Sequence, residues 1–511
     1  MKKRLLALLL AASMTAGLLA GCGGGGQEAQ NTDATESEET ADDGDYPVIK
    51  MAYTVMFPAT SEESIEDALN EILREKAHAE VDLVGIEFGN WSTQLNLMLT
   101  GGGDNSIDLF NSFWYTSLAN LVANGQVMAL DDLIESDGQD ILAEFEEGGI
   151  SDYLKCGEVS GTQYGIPCIY SYSTENLFYS LTEDAQKADV DFTQVTDLES
   201  MKDVILQLKE ANPDKYFIPG STDPYWIPKS IDYFGDTNFL GVLTNPTEST
   251  TVENYYESDY FLTWLEYVKE WKEAGVFSPD PLSNNQPVLM NLLMGVADGT
   301  TGYGWDAEIS MEATEAQNNL ELDGTRVTEA LSTTSDATTY MWHISAFCEE
   351  PEAAMRILNV LYTDPEAAQI VANGLEGQEY ELDENGQMVY PEGKSSMSEL
   401  GWSAASMAYW PNVMLCKTWY YEPLDVYDQM KAKNESCDKS LALGFSFDPT
   451  NVTDQMTACA NVVAQYYTPL MYGEVDIDST LPEFQQALKD AGIDDIIAEK
   501  QAQLDTWLAE Q

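Results

Sequence analysis

From Val48 to Phe110 the chain alternates strand-like apolar runs with amphipathic stretches, and this rhythm restricts the fold more than any other feature. "VIKMAYTVM" (Val48–Met56) reads as a first strand. Thr60-x-x-Glu63 has the capping-box pattern and opens a helix whose face carries Ile65, Ala68, Leu69 and Ile72. "VDLVGIEF" (Val81–Phe88) reads as a second strand. A helix through Leu95, Leu97, Met98 and Leu99 follows and stops at Gly101, and "SIDLF" (Ser106–Phe110) is a third strand. Strands alternating with helices imply parallel pairing and an α/β architecture.

The middle of the chain repeats the pattern. "QYGIPCIYSYSTENLFYS" (Gln163–Ser180) is β-rich and broken only by Gly165 and Pro167. "DLESMKDVILQLKEANPD" is a helix with Met201, Val204, Ile205 and Leu208 on one side, and "YFIPG" is a strand. Tyr260–Pro281 holds an amphipathic helix ended by Gly275, and "GTTGYGWD" (Gly299–Asp306) is a strand and turn. The last hundred residues are mostly helical, with two amphipathic pieces in Leu481–Gln511. No internal linker or short repeat separates the two α/β units, so they are intimately connected rather than strung in a row.

The N-terminus has a different logic. Lys2, Lys3 and Arg4 precede an apolar run from Leu5 to Ala20, the layout of a secretory signal peptide. Its end, Leu19-Ala20-Gly21-Cys22, resembles the bacterial lipobox, whose cysteine receives a diacylglycerol and becomes the first mature residue. Residues 1–21 are therefore expected to be a signal peptide. Residues 22–45 are expected to be the lipidated Cys22 and a disordered acidic tether, because "QEAQNTDATESEETADDGD" lacks the apolar surface to offset its ordering entropy. Such a tether spans about 25 Å at roughly 5–6 Å × √n. It would hold the body at the extracytoplasmic face of a cell membrane yet free to tumble.

Lys plus Arg number 23 against 88 Asp plus Glu, a formal net charge of −65, which repels nucleic acid and anionic lipid surfaces and argues against both as partners. Beyond Cys22, six cysteines remain at Cys156, Cys168, Cys348, Cys416, Cys437 and Cys459. Their even number permits disulfides, although buried thiols acting as small hydrophobes are the plainer reading. With only His78 and His343 and no Cys-x-x-Cys, neither a metal site nor a cofactor is expected.

Several segments together carry a family resemblance. "LTGGGDNSIDLF", "YGIPC", "EYVKEWKEAGVFSPDP" and Cys348–Leu382 resemble, in order, motifs of the type II extracellular solute-binding proteins. "LGFSFDPTNVTDQMTACANVVAQYYTPLMYGEVD" resembles the C-terminal domain of their carbohydrate-type lipoprotein branch. Asn105-Ser106-Ile107 departs from the family pattern, where a proline usually precedes the aspartate at Asp108. The resemblance implies a monomeric, maltose-binding-protein-like fold with two lobes joined by two or three crossover strands and a helical C-terminal segment. Residues 46–168 plus about 332–410 would form lobe 1, and 169–331 plus about 411–511 lobe 2. It further implies a carbohydrate bound in the interlobe cleft, hinge closure, and delivery to the permease subunits of an ABC transporter. No P-loop is present, which fits a part that only delivers.

A sugar site needs flat aromatic plates and hydrogen-bonding carboxylates or amides. The chain holds 11 Trp, 27 Tyr and 16 Phe, and those in turns after strands are the informative ones. Candidates are Phe57 after the first strand, Asp108, Trp114 and Tyr115 around the third, and Tyr170 at the first crossover. Trp226 in "STDPYW", Trp305 and Asp306 in "GYGWDAE", and Phe445 near the third crossing complete the set. Each also has a packing reading; Trp264 and Trp271, on an amphipathic helix, are assigned to packing outright. Competing functions are an extracellular glycoside hydrolase, a glycan adhesin, or the same fold carrying a peptide or a cation such as calcium. No motif singles out a catalytic carboxylate pair, and no EF-hand-like loop is present.

Overall fold

Two β-sheets organise the body. The strands of the first half are β1 (Val48–Val55), β2 (Glu80–Glu87), β3 (Leu109–Asn111), β4 (Ile166–Pro167), β5 (Glu175–Leu181) and β6 (Tyr216–Ile218). They are followed by β7 (Ala297–Gly304), β8 (Leu322–Arg326), β9 (Leu331–Ser332), β10 (Met341–Ile344) and β11 (Asp438–Lys439). The computed structural model describes residues 46–57, 59–101, 103–113, 115–218, 231–283, 288–402 and 409–511. The expected signal peptide, Cys22 and tether, and the site candidates Trp114 and Trp226, lie outside the described residues. Residues Tyr46–Gln511 form one compact unit.

The first sheet has the order β2-β1-β3-β10-β4. β1 pairs in parallel with β2 from Val48↔Glu80 to Val55↔Glu87 and in parallel with β3, while β10 runs antiparallel to β3 and β4. β1 is flanked on both sides, and Met51 to Val55 are all buried; β2 is an edge strand, with Val81, Leu83 and Ile86 in and Asp82 and Glu87 out. The second sheet has the order β8-β5-β7-β6, with β7 parallel to β6 and antiparallel to β5.

Helices cover the sheets. They include α1 (Glu62–Lys76), α2 (Trp91–Gly101), α3 (Leu198–Ala211), α4 (Asp259–Glu273), α5 (Ala307–Asn318) and α6 (Thr334–Thr338). Further along are α7 (Pro351–Thr363), α8 (Pro365–Asn373), α9 (Val426–Ser436), α10 (Thr453–Met471), α11 (Ile477–Ala491) and α12 (Ile493–Glu510). α1 buries Ile65, Leu69 and Leu73, with Glu62 and Glu63 in its first turn and Arg74 and Lys76 in its last, matching the helix dipole. The expected Thr60–Glu63 capping box does not form. Ser61 is the N-cap, and its hydroxyl donates to the buried Glu379 instead. α3 does carry a capping box, from Asp197 to Ser200, and buries the expected Met201, Val204, Ile205 and Leu208. α4 ends as Gly275 turns the chain at φ +69°, and its Trp264 and Trp271 are buried, as the packing assignment requires. Among the described residues no helix is long and apolar enough to cross a membrane.

Each sheet has its own apolar core. The first joins Met51, Leu69, Leu109, Tyr172, Trp342, Leu361 and Trp410; the second joins Phe178, Leu208, Trp264, Trp271, Tyr467, Phe484 and Ile496. α10, α11 and α12 thus belong to the second lobe, with Gly492 at φ +98° breaking α11 from α12. At roughly 1.5–3 kcal/mol per fully buried large side chain, either core is a substantial folding unit.

The chain crosses between the lobes three times, and the crossings are hydrogen-bonded side by side. Thr174 and Leu331 exchange backbone bonds of 2.8 and 3.1 Å, and β9 pairs in parallel with β11 through Leu331↔Asp438 and Ser332↔Lys439. The third crossing therefore lies at Asp438–Lys439, which corrects the expectation that residues from about 411 enter the second lobe. The reason is local. Lys417 N donates to Gln369 Oε1 in α8 (2.8 Å), Gln387 Nε2 donates to Trp419 O (3.0 Å), and Cys416 packs into the first core. All six described cysteines are free thiols, and Cys437 alone among them is not fully buried.

Candidate functional site

Strand direction defines where a ligand can sit. β1, β2, β3 and β4 run the same way, so their C-terminal ends and the start of antiparallel β10 share one edge. In the second sheet the ends of β6, β7 and β8 share an edge with the start of β5. The segment from Cys168 to Thr174 leads from the first edge straight to the second. Two loop-bearing edges therefore meet at the crossings, the place where open α/β sheets bind ligands.

The first edge carries a continuous row of rings. Phe88 follows β2 and lies 6.0 Å from Phe113, which follows β3. Phe113 stacks on Tyr340, just before β10, at 5.4 Å and 15°. Tyr340 meets Tyr170, just after β4, at 5.4 Å, and Tyr170 meets Tyr172 at 5.1 Å. The row is held from below: Cys168 N donates to Tyr340 O (2.9 Å), and the Tyr170 hydroxyl donates to Asp336 O. Burial and the neighbouring Tyr340, Tyr172 and Asp336 push the Tyr170 phenol well above its ordinary pKa, so it remains a neutral donor. Phe57, at the end of β1, is 37% exposed.

On the second edge the C-terminal end of β7 carries Tyr303, 58% exposed, and the half-buried Trp305 follows the strand. Ser173 Oγ of the first crossing donates to Trp305 O at 3.2 Å, fixing this turn against the hinge. Asp306 is the N-cap of α5, accepting from Glu308 N and Ile309 N at 3.1 and 3.2 Å, and its other oxygen lies 3.3 Å from Lys433 Nζ. It anchors the turn that bears Trp305 rather than reaching for a ligand.

Phe57 and Tyr170 thus stand on the first edge and Trp305 on the second. Tyr115 is close by in chain, but its hydroxyl donates to Asn96 Oδ1 (2.7 Å) and accepts from Gln126 Nε2 (3.0 Å), which ties it to its own lobe. Two candidates move out of the site. Asp108 precedes β3 instead of ending it, so it sits at the opposite edge, where Oδ2 accepts from Lys50 N at 2.9 Å. Burial raises its pKa, an effect of the sheet's interior and not of a cleft. Phe445 is 3% exposed and packs between Phe234 and Trp507, at 5.4 and 6.1 Å, under the C-terminal helix. Trp342, Trp402 and Trp410 are buried as well, stacked 5.7 and 6.2 Å apart under the first sheet's edge.

Sequence reasoning missed Phe88 and Tyr340, and the buried Phe113 that backs them. Their signal is the same as that of Phe57: an aromatic within two residues of a strand end. A small cavity of about 140 Å³ beside Ile169, Asn412 and Asn434 lies against the first lobe. It is well below the 300–1,000 Å³ of a ligand pocket and is not the site. Among the described residues no group of His, Cys, Asp and Glu is arranged to hold a metal ion.

The profile of the family described as bacterial extracellular solute-binding protein matches residues 58–368. The chain belongs to this family. A second profile, a domain of unknown function (DUF3502), matches residues 441–509, the segment built from α10, α11 and α12. A carbohydrate ABC transporter substrate-binding protein of Streptococcus pneumoniae is 28% identical over 496 residues, covering 92% of this chain and 93% of the relative. The fold matches the N-glycan transport solute-binding protein NgtS of the same organism at a TM-score of 0.78 and 22% identity, over 91% of this chain and 99% of that one. NgtS in complex with Man1GlcNAc matches at 0.72 and 22% identity, over 91% and 100%. A human-milk-oligosaccharide-binding transporter protein of Bifidobacterium longum infantis matches at 0.61 and 16% identity, over 91% and 99%. This extracellular solute-binding protein therefore shares its two-lobed fold with proteins of known ligand.

Proposed function

We propose that this solute-binding protein captures a sugar or oligosaccharide between its two lobes and delivers it to the transmembrane subunits of an ABC importer. It acts as a monomer, held at the extracytoplasmic face of the cell membrane by a lipid on Cys22. The observation that carries the reading is the set of half-buried rings Phe88, Tyr340 and Tyr170, backed by the buried Phe113, on the edge that reaches the crossings, with the Tyr303–Trp305 turn on the other edge. Such rings match the apolar C–H faces of pyranoses. The name of the Streptococcus pneumoniae relative, a carbohydrate ABC transporter protein, favours the same cargo and partner. Micromolar capture needs about −8 kcal/mol, within reach of two stacked rings and a few hydrogen bonds after the ordering cost.

A hydrolytic role finds less support. Glu175 and Asp306 form a close carboxylate pair at the second edge, but Lys433 holds both and each also binds backbone N–H groups of α5. Neither oxygen pair is left to protonate a glycosidic bond or attack a sugar.

Calorimetry against a glycan panel tests the reading, with mannose- and GlcNAc-containing oligosaccharides, milk-type oligosaccharides and alginate fragments as arms. The expected result is micromolar or tighter binding of one class, weakened about 10–100-fold by Trp305→Ala. Tight binding of a peptide or amino acid with no response to any glycan would overturn it.

A further inference from the structure

Lys433 and Asn434 are neighbours on α9, yet they grip opposite sides of the first crossing. Asn434 is fully buried and holds the lobe 1 side: its Nδ2 donates to Tyr170 O and its Oδ1 accepts from Tyr172 N, both at 2.8 Å. Lys433 holds the lobe 2 side, with Nζ 2.5 Å from Glu175 Oε1 and 3.3 Å from Asp306 Oδ2. Glu175 is 1% exposed and opens β5, and its second oxygen accepts from Ala307 N at 2.9 Å. Arg326 adds a longer contact of 3.5 Å. Only Ser173 and Thr174 separate the two grips, and Thr174 is where the crossings pair. Within the first crossing, a rotation of one lobe on the other falls on these two residues.

The Lys433 grip also reaches the ligand-facing turn. Asp306 is bonded to Trp305 and caps α5, and Glu175 accepts from that same helix start. Any shift of Trp305 moves Asp306, and through Lys433 it moves α9 relative to the crossing. Burial works to lower the Lys433 pKa, but the Glu175 bond and the charges of Glu175 and Asp306 outweigh it, so the ammonium is firmly charged.

We infer that Lys433 is a positioning residue that couples the Trp305–Asp306 turn to the hinge, so that a ligand seated on the turn biases the lobes toward closure. The inference rests on the binding reading above for the ligand's place. It differs from a purely structural role, in which Lys433 would only neutralise the buried Glu175. In that case removing both charges together would restore normal behaviour, since a buried pair replaced by neutral groups of similar volume costs little.

The test is hydrogen-exchange mass spectrometry on the whole protein, with and without the oligosaccharide found by calorimetry. The variants are Lys433→Arg and the double variant Lys433→Met/Glu175→Gln. In the natural protein ligand should protect amides 303–309 and 170–176 together, and Lys433→Arg should retain both responses. The double variant should melt near the natural temperature, protect 303–309 only, and bind about tenfold more weakly. If the double variant keeps both responses and binds within twofold of the natural protein, the coupling role is wrong. If no oligosaccharide binds the natural protein, the binding reading fails on its own. The coupling is then decided without ligand: faster exchange at 170–176 in the double variant supports it, and unchanged exchange overturns it.

Discussion

Replacing Lys500 with methionine should detach the C-terminal helices from the second lobe's inner loop. Lys500 sits on α12 with no solvent exposure. Its ammonium lies 3.1 Å from Asp236 Oδ2 and donates to Gly241 O at 3.1 Å, between the rings of Phe447 and Phe234 at 5.2 and 5.7 Å. The loop it holds is conformationally costly, since Phe234 and Phe239 both take positive φ, at 54° and 52°. Methionine fills the space of the stem but leaves the largely covered Asp236 carboxylate without its cation. Breaking a buried pair from one side costs about 3–5 kcal/mol. Asp236 keeps its bonds from Asn238 N and Leu240 N, at 3.0 and 3.2 Å, which places the loss near the lower end. For a folding unit of roughly 200 residues, about 3 kcal/mol lowers the melting temperature by about 6–12 °C. Calorimetric melting reads this directly. Lys500→Met/Asp236→Asn should recover about half of the loss. A single variant within about 0.5 kcal/mol of the natural protein, or a double variant no better than the single, would refute the argument.

Three further outcomes are expected. Burial pushes the Asp298 carboxyl up from 3.8 to about 7, and its Oδ2 meets no donor among the described residues. Because the folded-state pKa lies above the unfolded one, the fold loses stability as pH rises from about 4 to 7; Asp298→Asn should therefore stabilise by about 2–4 kcal/mol at pH 8 and by almost nothing at pH 4, read by denaturant unfolding. Phe445→Ala should destabilise by about 3–5 kcal/mol yet leave glycan affinity unchanged, since the ring packs under α12; a selective loss of affinity would return it to the site. Cys22→Ala should release the protein from membranes into the medium in cell fractionation, and continued membrane retention would exclude the lipid anchor.

How much of this was legible in the chain depends on sequence periodicity. The strands at Val48–Val55 and Glu80–Glu87 and the helices Leu198–Ala211 and Asp259–Glu273 declare themselves because many consecutive residues repeat one burial pattern. The second and third crossings do not, because β9 and β11 are two residues long and held by partners far away in sequence. The same limit explains the site. Trp305 and Tyr170 follow strands long enough or marked enough to be placed, and both stand at the sheet edges. Asp108 falls on the wrong side of its strand: β3 runs Leu109–Asn111, so a residue expected at the strand's end lies just before its start. Phe445 looks like a cleft aromatic until α12 is seen to cover it, and nothing local to "LGFSFDP" announces a helix some fifty residues on. Lys433 is invisible for the same reason, one charge on a polar helix until Glu175 and Asp306 are brought to it.

Transport by this protein turns on one step, a sugar closing two lobes about three paired crossings. Small-angle scattering of the natural protein, titrated with the glycan that binds best in calorimetry, tests it most directly. The glycan should reduce the radius of gyration, saturating at the calorimetric stoichiometry, and Trp305→Ala should lose that change in step with affinity. Saturable glycan binding with an unchanged radius of gyration would contradict it and point to a rigid adhesin.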